Sequence, residues 1–134
     1  MNKGAFTIVA LLIGGTAAFL FMDGFLDRLA DDDSCVAAVA EKASAITFTE
    51  SGVTPACSIA SSGQKITWVN ATPRVIQVSS DPHPVHSDNP EISDGKFIIQ
   101  LDPGQGADAV LTRKGTFGFH DHAKPSLTGT LIIE

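Results

Sequence analysis

The chain contains four histidines, and all of them fall in two short clusters, Pro82-His83-Pro84-Val85-His86 and His120-Asp121-His122. Neutral imidazole is the commonest side-chain nitrogen donor to transition metals, so this grouping predicts one shared metal site. Residues two apart on a strand face the same side, which makes His120 and His122 a two-nitrogen clamp and turns Asp121 away. His83 and His86 sit on a segment stiffened by Pro82 and Pro84. Closing over the clamp as a lid, that segment would complete three or four nitrogen ligands. Either cluster alone is a weak signal, because a lone surface histidine is ordinarily just solvated. The case rests on the two clusters meeting. Imidazole must be neutral to ligate, so metal affinity should fall as pH drops through about 6.5. Asp81, Asp88 and Asp121 flank the histidines and either orient a ring N–H or remain ordinary solvated charges.

The elements that must position these residues read as short strands. From Ala45 the apolar period is two, with strands expected near 45–49, 56–60, 64–70, 74–79, 96–101, 107–112, 115–120 and 128–133. Turn signals separate them, among them Ser62-Gly63, Asp94-Gly95, Pro103-Gly104, Lys114-Gly115 and Thr128-Gly129. This density of strands and turns predicts an all-β sandwich or barrel. The longest gap, Ser80 to Asp94, carries His83 and His86, and a loop of that length in a compact domain is usually functional. Trp68 shares a strand face with Ile66 and is expected in the core, as are Phe97, Phe117 and Phe119. Arg113 and Lys114 read as a solvent-facing turn pair. No Ser-His-Asp spacing or phosphate-binding glycine loop is present, so no catalytic residue is assigned and the chain does not read as an enzyme.

The 134 residues leave room for one membrane segment and one domain of about 100 residues. Fifteen acidic against nine basic side chains give a net charge of -6, which opposes nucleic acid and anionic lipid and favours cations. Ala5 to Met22 is a run of eighteen residues without a charge, close to the length that crosses a hydrocarbon core as a helix. Lys3 precedes it, and Asp23, Asp27 and Asp31 to Asp33 follow, which places the rest of the chain outside the cytoplasm. Phe21, Met22 and Asp23 do not supply the small residues of a cleavage site, which favours a retained anchor over a removed signal peptide. The expected organisation is an anchor at 1–23, an acidic, partly helical linker at 24–44, and a soluble domain at 45–134. Cys35 and Cys57, the two cysteines, lie far from the histidines and outside any metal-type spacing. In an oxidising compartment they would form a disulfide; the alternative is two buried thiols.

From Thr54 onward the chain resembles the cupredoxin family in three segments, TPACSIASSGQKITWVN, LDPGQGADAVLTRKGTFGF and HDHAKPSLTGTLIIE. The resemblance implies a Greek-key β-sandwich of about seven or eight strands, in which the region after Asn70 and the loop before the last strand approach at one end. It also implies that most blue-copper ligands are missing. No cysteine lies near residue 120. Leu127 stands where the family's axial Met would be, Asp121 or His120 where the Cys would be, and Ile76 where one His would be. His122, or Lys124 on a shorter-loop alignment, falls at the other His. A closer likeness is to bacterial cupredoxin-like proteins that read DPHPxH and HDHxxPSLxGT, which implies a compensating ligand set of His83, His86, His120 and His122.

An all-imidazole site favours tetragonal Cu(II) without an intense thiolate band, although zinc also accepts imidazole. The expected function is therefore a membrane-tethered, extracytoplasmic copper-binding protein acting in copper capture, storage or delivery, exchanging copper with a protein partner. The alternatives are an electron-transfer or small copper redox protein, whose metal would cycle rapidly without loss, and a metal-free sandwich used for protein interaction, which would retain neither metal.

Overall fold

The computed structural model describes residues 35–134, so the helix expected at 5–22 and the start of the linker lie outside the described residues. Ten strands follow in order: β1 (Glu41–Lys42), β2 (Ala45–Thr49), β3 (Gly52–Thr54), β4 (Cys57–Ala60), β5 (Lys65–Asn70), β6 (Ile76–Ser80), β7 (Ile99–Leu101), β8 (Gly106–Val110), β9 (Gly115–Asp121) and β10 (Lys124–Ile133). They form a six-stranded sheet ordered β1-β4-β10-β9-β6-β7 and a four-stranded sheet ordered β3-β2-β5-β8. The all-β sandwich expected from the period-two pattern is present, with ten strands among the described residues where seven or eight were expected. The additions are β1 and β3, each too short to show an alternation. Among the described residues no helix is long and apolar enough to cross a membrane.

Alternation builds the core. Ile46 and Phe48 of β2, Ile66 and Trp68 of β5, Val78 of β6, Phe119 of β9 and Leu131 of β10 are fully buried between the sheets. The Trp68 and Phe119 rings lie 4.9 Å apart between centroids, and Phe48 meets Phe119 edge-on at 6.0 Å. Such aromatic packing contributes beyond the area it removes from water. Phe117 is buried as expected. Phe97 is not: it is 59% exposed, because it precedes β7 instead of lying within it.

In the described part of the expected linker, residues 35–44, there is no helix; residues 37–39 form a turn and β1 pairs in parallel with β4. The Cys35–Cys57 disulfide fastens this segment to β4. Closing a loop over the sequence separation of 22 residues stabilises the domain by about 3 kcal/mol, mainly by restricting the unfolded chain. The C35S/C57S variant should therefore melt roughly 12–24 °C lower, at about 4–8 °C per kcal/mol for a domain of this size. Equal melting of the wild-type protein with and without reductant would refute this.

Candidate metal centre

Strand β9 decides where the histidines point. Phe117 and Phe119 face the core, and Asp121 shares their parity, so Gly118 and His120 face the outer side of the six-stranded sheet. Register carries this onto β6, where Ser79 pairs with His120 and Val78 with Asp121. Ser79 therefore stands beside His120 on the outer face, while core-facing Val78 stands beside Asp121. The chain then turns at His122, whose amide donates to the Gln77 carbonyl at 2.7 Å.

The segment after β6 covers this face, and it is fastened throughout. The Asp81 amide donates to the Gly118 carbonyl at 3.0 Å, the His86 amide to Pro82 at 2.8 Å, and the Asp88 amide to Asp81 at 2.9 Å. The Asn89 amide donates to Ser80 Oγ at 2.9 Å, and Asn89 caps a 3-10 turn over Pro90–Ser93. That turn buries Ile92, whose carbonyl accepts the Trp68 indole N–H at 2.9 Å. Glu91 accepts from the Thr112 and Arg113 amides and the Thr112 hydroxyl. Those donors, led by the Arg113 amide, hold its carboxyl below the usual carboxylate range. The long loop expected as a lid is thus a built part of the domain. Arg113, exposed as expected, also donates to the Asp88 carbonyl and lies over the Phe117 ring.

The four imidazoles converge here. Ligand nitrogens of His83, His120 and His122 lie within 4.8 Å of one another. Ring centroids stand 5.4 Å apart for His83 and His120, and 4.8 Å for His83 and His122. His86 adds a fourth ring, 5.1 Å from His120 and 4.8 Å from His122. Its Nδ1 lies 3.1 Å from the Phe97 carbonyl, which can only accept, so Nδ1 carries the proton and Nε2 keeps its lone pair. That Nε2 stands 3.0 Å from Nδ1 of His122. Two nitrogens sharing one ion at about 2.0 Å each would be separated by about 2.8–3.3 Å, so this spacing suits a common cation. Burial pushes the His86 imidazole below its ordinary value; the Phe97 carbonyl opposes the shift and the other three imidazoles add to it. The shift favours neutral imidazole, the form that ligates. Its backbone is left-handed at φ 53°, a conformation that non-glycine residues keep only where surrounding contacts impose it.

His120 is buried, His122 half-buried and His83 exposed. Of the three flanking carboxylates, only Asp81 reaches a histidine, with Oδ1 2.5 Å from Nδ1 of His120. Asp121 faces the other way and pairs with Arg74 at 2.6 Å. Among the described residues the Asp88 carboxylate makes no hydrogen bond to an imidazole. Sequence reasoning missed Ser79, whose hydroxyl lies 3.2 Å from Nε2 of His120, and Gly118, where any Cβ would collide with the Asp81 carboxylate. It misplaced Phe97, whose ring packs on His86 at 4.4 Å at the rim of the site. Only the β6–β9 register brings these together, and no local pattern states that register.

The described residues thus form an all-β sandwich with an imidazole cluster on the outer face of its larger sheet. Solved structures show that this is the cupredoxin fold. A purple cupredoxin from Nitrosopumilus maritimus aligns over 68% of this chain and 99% of its own, with TM-score 0.54 and 13% identity. A mutant of amicyanin, in its Cu(I) state, aligns over 73% and 88%, with TM-score 0.53 and 18% identity. A mutant fern plastocyanin, solved oxidized and reduced, aligns over 67% and 99%, with TM-score 0.51 and 19% identity. No protein-family model and no curated protein matches the sequence.

The positions at which the family resemblance put blue-copper ligands are filled differently here. Ile76 and Leu127 are buried in the core, Asp121 is paired with Arg74, and both cysteines are in the disulfide. No thiolate is available to a cation at the histidine cluster.

Proposed function

We propose that this protein binds copper through His83, His86, His120 and His122, and that it captures, stores or hands on copper outside the membrane to which residues 5–22 tether it. The observation that carries the reading is the convergence of the chain's histidines on one patch of a cupredoxin fold: His83, His120 and His122 with ligand nitrogens within 4.8 Å of one another, and the His86 ring 4.8 Å from that of His122. A donor set of imidazoles without thiolate or thioether suits Cu(II) better than Cu(I). Bound copper supplies Lewis acidity and a one-electron couple; the chain's own residues supply orientation and neutral nitrogen. The Cys35–Cys57 disulfide supports an oxidising compartment, in keeping with an extracytoplasmic domain. The net charge of -6 favours a cation and opposes nucleic acid.

Titration of the protein with Cu(II), Cu(I) and Zn(II) tests the reading. One equivalent of Cu(II) should bind most tightly, with nitrogen hyperfine structure in its electron paramagnetic resonance spectrum and only weak ligand-field absorption. Retention of neither copper nor zinc at neutral pH would overturn the proposal.

A further inference from the structure

Both ring nitrogens of His120 already have partners. Nδ1 meets Asp81 Oδ1 at 2.5 Å, and Nε2 meets Ser79 Oγ at 3.2 Å. A carboxylate can only accept, so Nδ1 carries a proton, and in the neutral imidazole that ligates the Nε2 lone pair then accepts the serine hydroxyl hydrogen. Resting on the reading that His120 holds copper, we propose that Asp81 and Ser79 are positioning residues of opposite effect. Asp81 fixes the tautomer that offers Nε2 as the ligating nitrogen, and Ser79 occupies that nitrogen until a cation takes it.

The surroundings are built for both roles. Asp81 is held at its amide by the Gly118 carbonyl and at its carbonyl by the Asp88 amide. Its carboxylate lies across Gly118, where a side chain of any size would push it off His120. Ser79 is fully buried and directly paired with His120 across β6 and β9. The His120 carbonyl, 3.5 Å from its hydroxyl, is a second acceptor to which the hydroxyl can turn when it leaves Nε2. The same Ser-His-Asp connectivity activates serine nucleophiles in hydrolases. Here the serine has no exposed surface, so a scissile carbonyl has no route to Oγ. What remains is control of the imidazole.

The two substitutions should act with opposite signs. Asp81→Asn replaces an obligate acceptor by a group that can donate to Nδ1, which favours the wrong tautomer. It should weaken Cu(II) binding by about 10–100-fold, the usual cost of losing a carboxylate behind a ligating histidine. Ser79→Ala removes one neutral hydrogen bond competing for Nε2 and should tighten Cu(II) binding by roughly 2–10-fold. Competition titration of the full chain against a chelator reads both effects, with Cu(II) as the only probe. Nitrogen-15 NMR of the metal-free protein reads the tautomer directly: His120 should be Nδ1-protonated in the wild type and shift toward Nε2-protonated in Asp81→Asn.

An unchanged tautomer in Asp81→Asn, or equal or weaker Cu(II) binding by Ser79→Ala, would overturn the proposal. Should Asp81→Asn fail to fold, the sign of the Ser79→Ala effect decides. If the wild type bound no Cu(II), the copper reading would fall while the tautomer measurement still judged Asp81.

Discussion

Replacing His120 and His122 together by alanine should lower Cu(II) affinity by roughly 10⁴-fold, taking on the order of 3 kcal/mol per ligand from the 10–16 kcal/mol that four-ligand structural metal sites contribute. His120 is carried by the end of β9, on a face that Phe117 and Phe119 fix by packing the opposite side into the core, and His122 stands on the turn that follows, held by its amide on the Gln77 carbonyl. The variant should still fold, since neither ring takes part in that core. Single replacements should separate the remaining ligands. His83 is exposed and must lose rotamer freedom to ligate, so His83→Ala should cost the least. His86 is buried and its ring is already oriented by the Phe97 carbonyl, so its loss should resemble that of a strand histidine. Sequence alone suggests that both loop histidines matter less, on the entropy of a mobile loop; the hydrogen bonds of residues 81–89 remove that cost for His86. A chelator-competition titration measures each affinity. Unchanged affinity in the double variant, or an intense thiolate band in the wild type, would rule out the assigned site.

Much of this architecture is legible in the sequence because alternation is a local signal. The apolar period alone bounds the strand at 45–49, and the burial of Trp68, Phe117 and Phe119 follows from their parity within strands. Phe97 escapes that reasoning because parity has meaning only inside a strand, and β7 begins two residues later. The clustering of the histidines is visible, and so is the opposite direction of Asp121. Which face of which sheet they share is not. That depends on β6 pairing with β9 so that Ser79 meets His120, a register set by turns and by the burial of Val78 and Phe119. Gly118 looks like any strand glycine until the Asp81 carboxylate is seen lying across it. The disulfide, left open against two buried thiols by spacing alone, needs the position of residues 35–42 beside β4.

Asp121→Ala should destabilise the domain by about 2–4 kcal/mol, since removing one partner of a buried pair leaves the others uncompensated. The Asp121 carboxylate is fully buried. Oδ2 accepts from Arg74 Nη1 at 2.6 Å, and Oδ1 accepts from the amides of Gln77 at 2.8 Å and Ala123 at 3.1 Å. Alanine would strand a guanidinium and two backbone donors. Arg74 is 37% exposed, and water reaching it keeps the cost below the roughly 3–5 kcal/mol of a fully enclosed pair. Asp121→Asn keeps an oxygen for the two amides but cannot neutralise Arg74, so it should fall between. Replacing both partners with apolar residues, as in R74M/D121L, removes the unpaired charge and should recover part of the stability despite the orphaned amides. The melting temperature should drop by roughly 8–32 °C in Asp121→Ala, at about 4–8 °C per kcal/mol for a domain of this size. The same three hydrogen bonds hold the turn after β9 on which His122 stands, so Cu(II) affinity should weaken alongside stability in Asp121→Ala. A variant that melts with the wild type would mean that the Arg74 pair carries no structural role. One that is destabilised but binds Cu(II) as tightly as the wild type would mean that the turn does not depend on Asp121 to present His122.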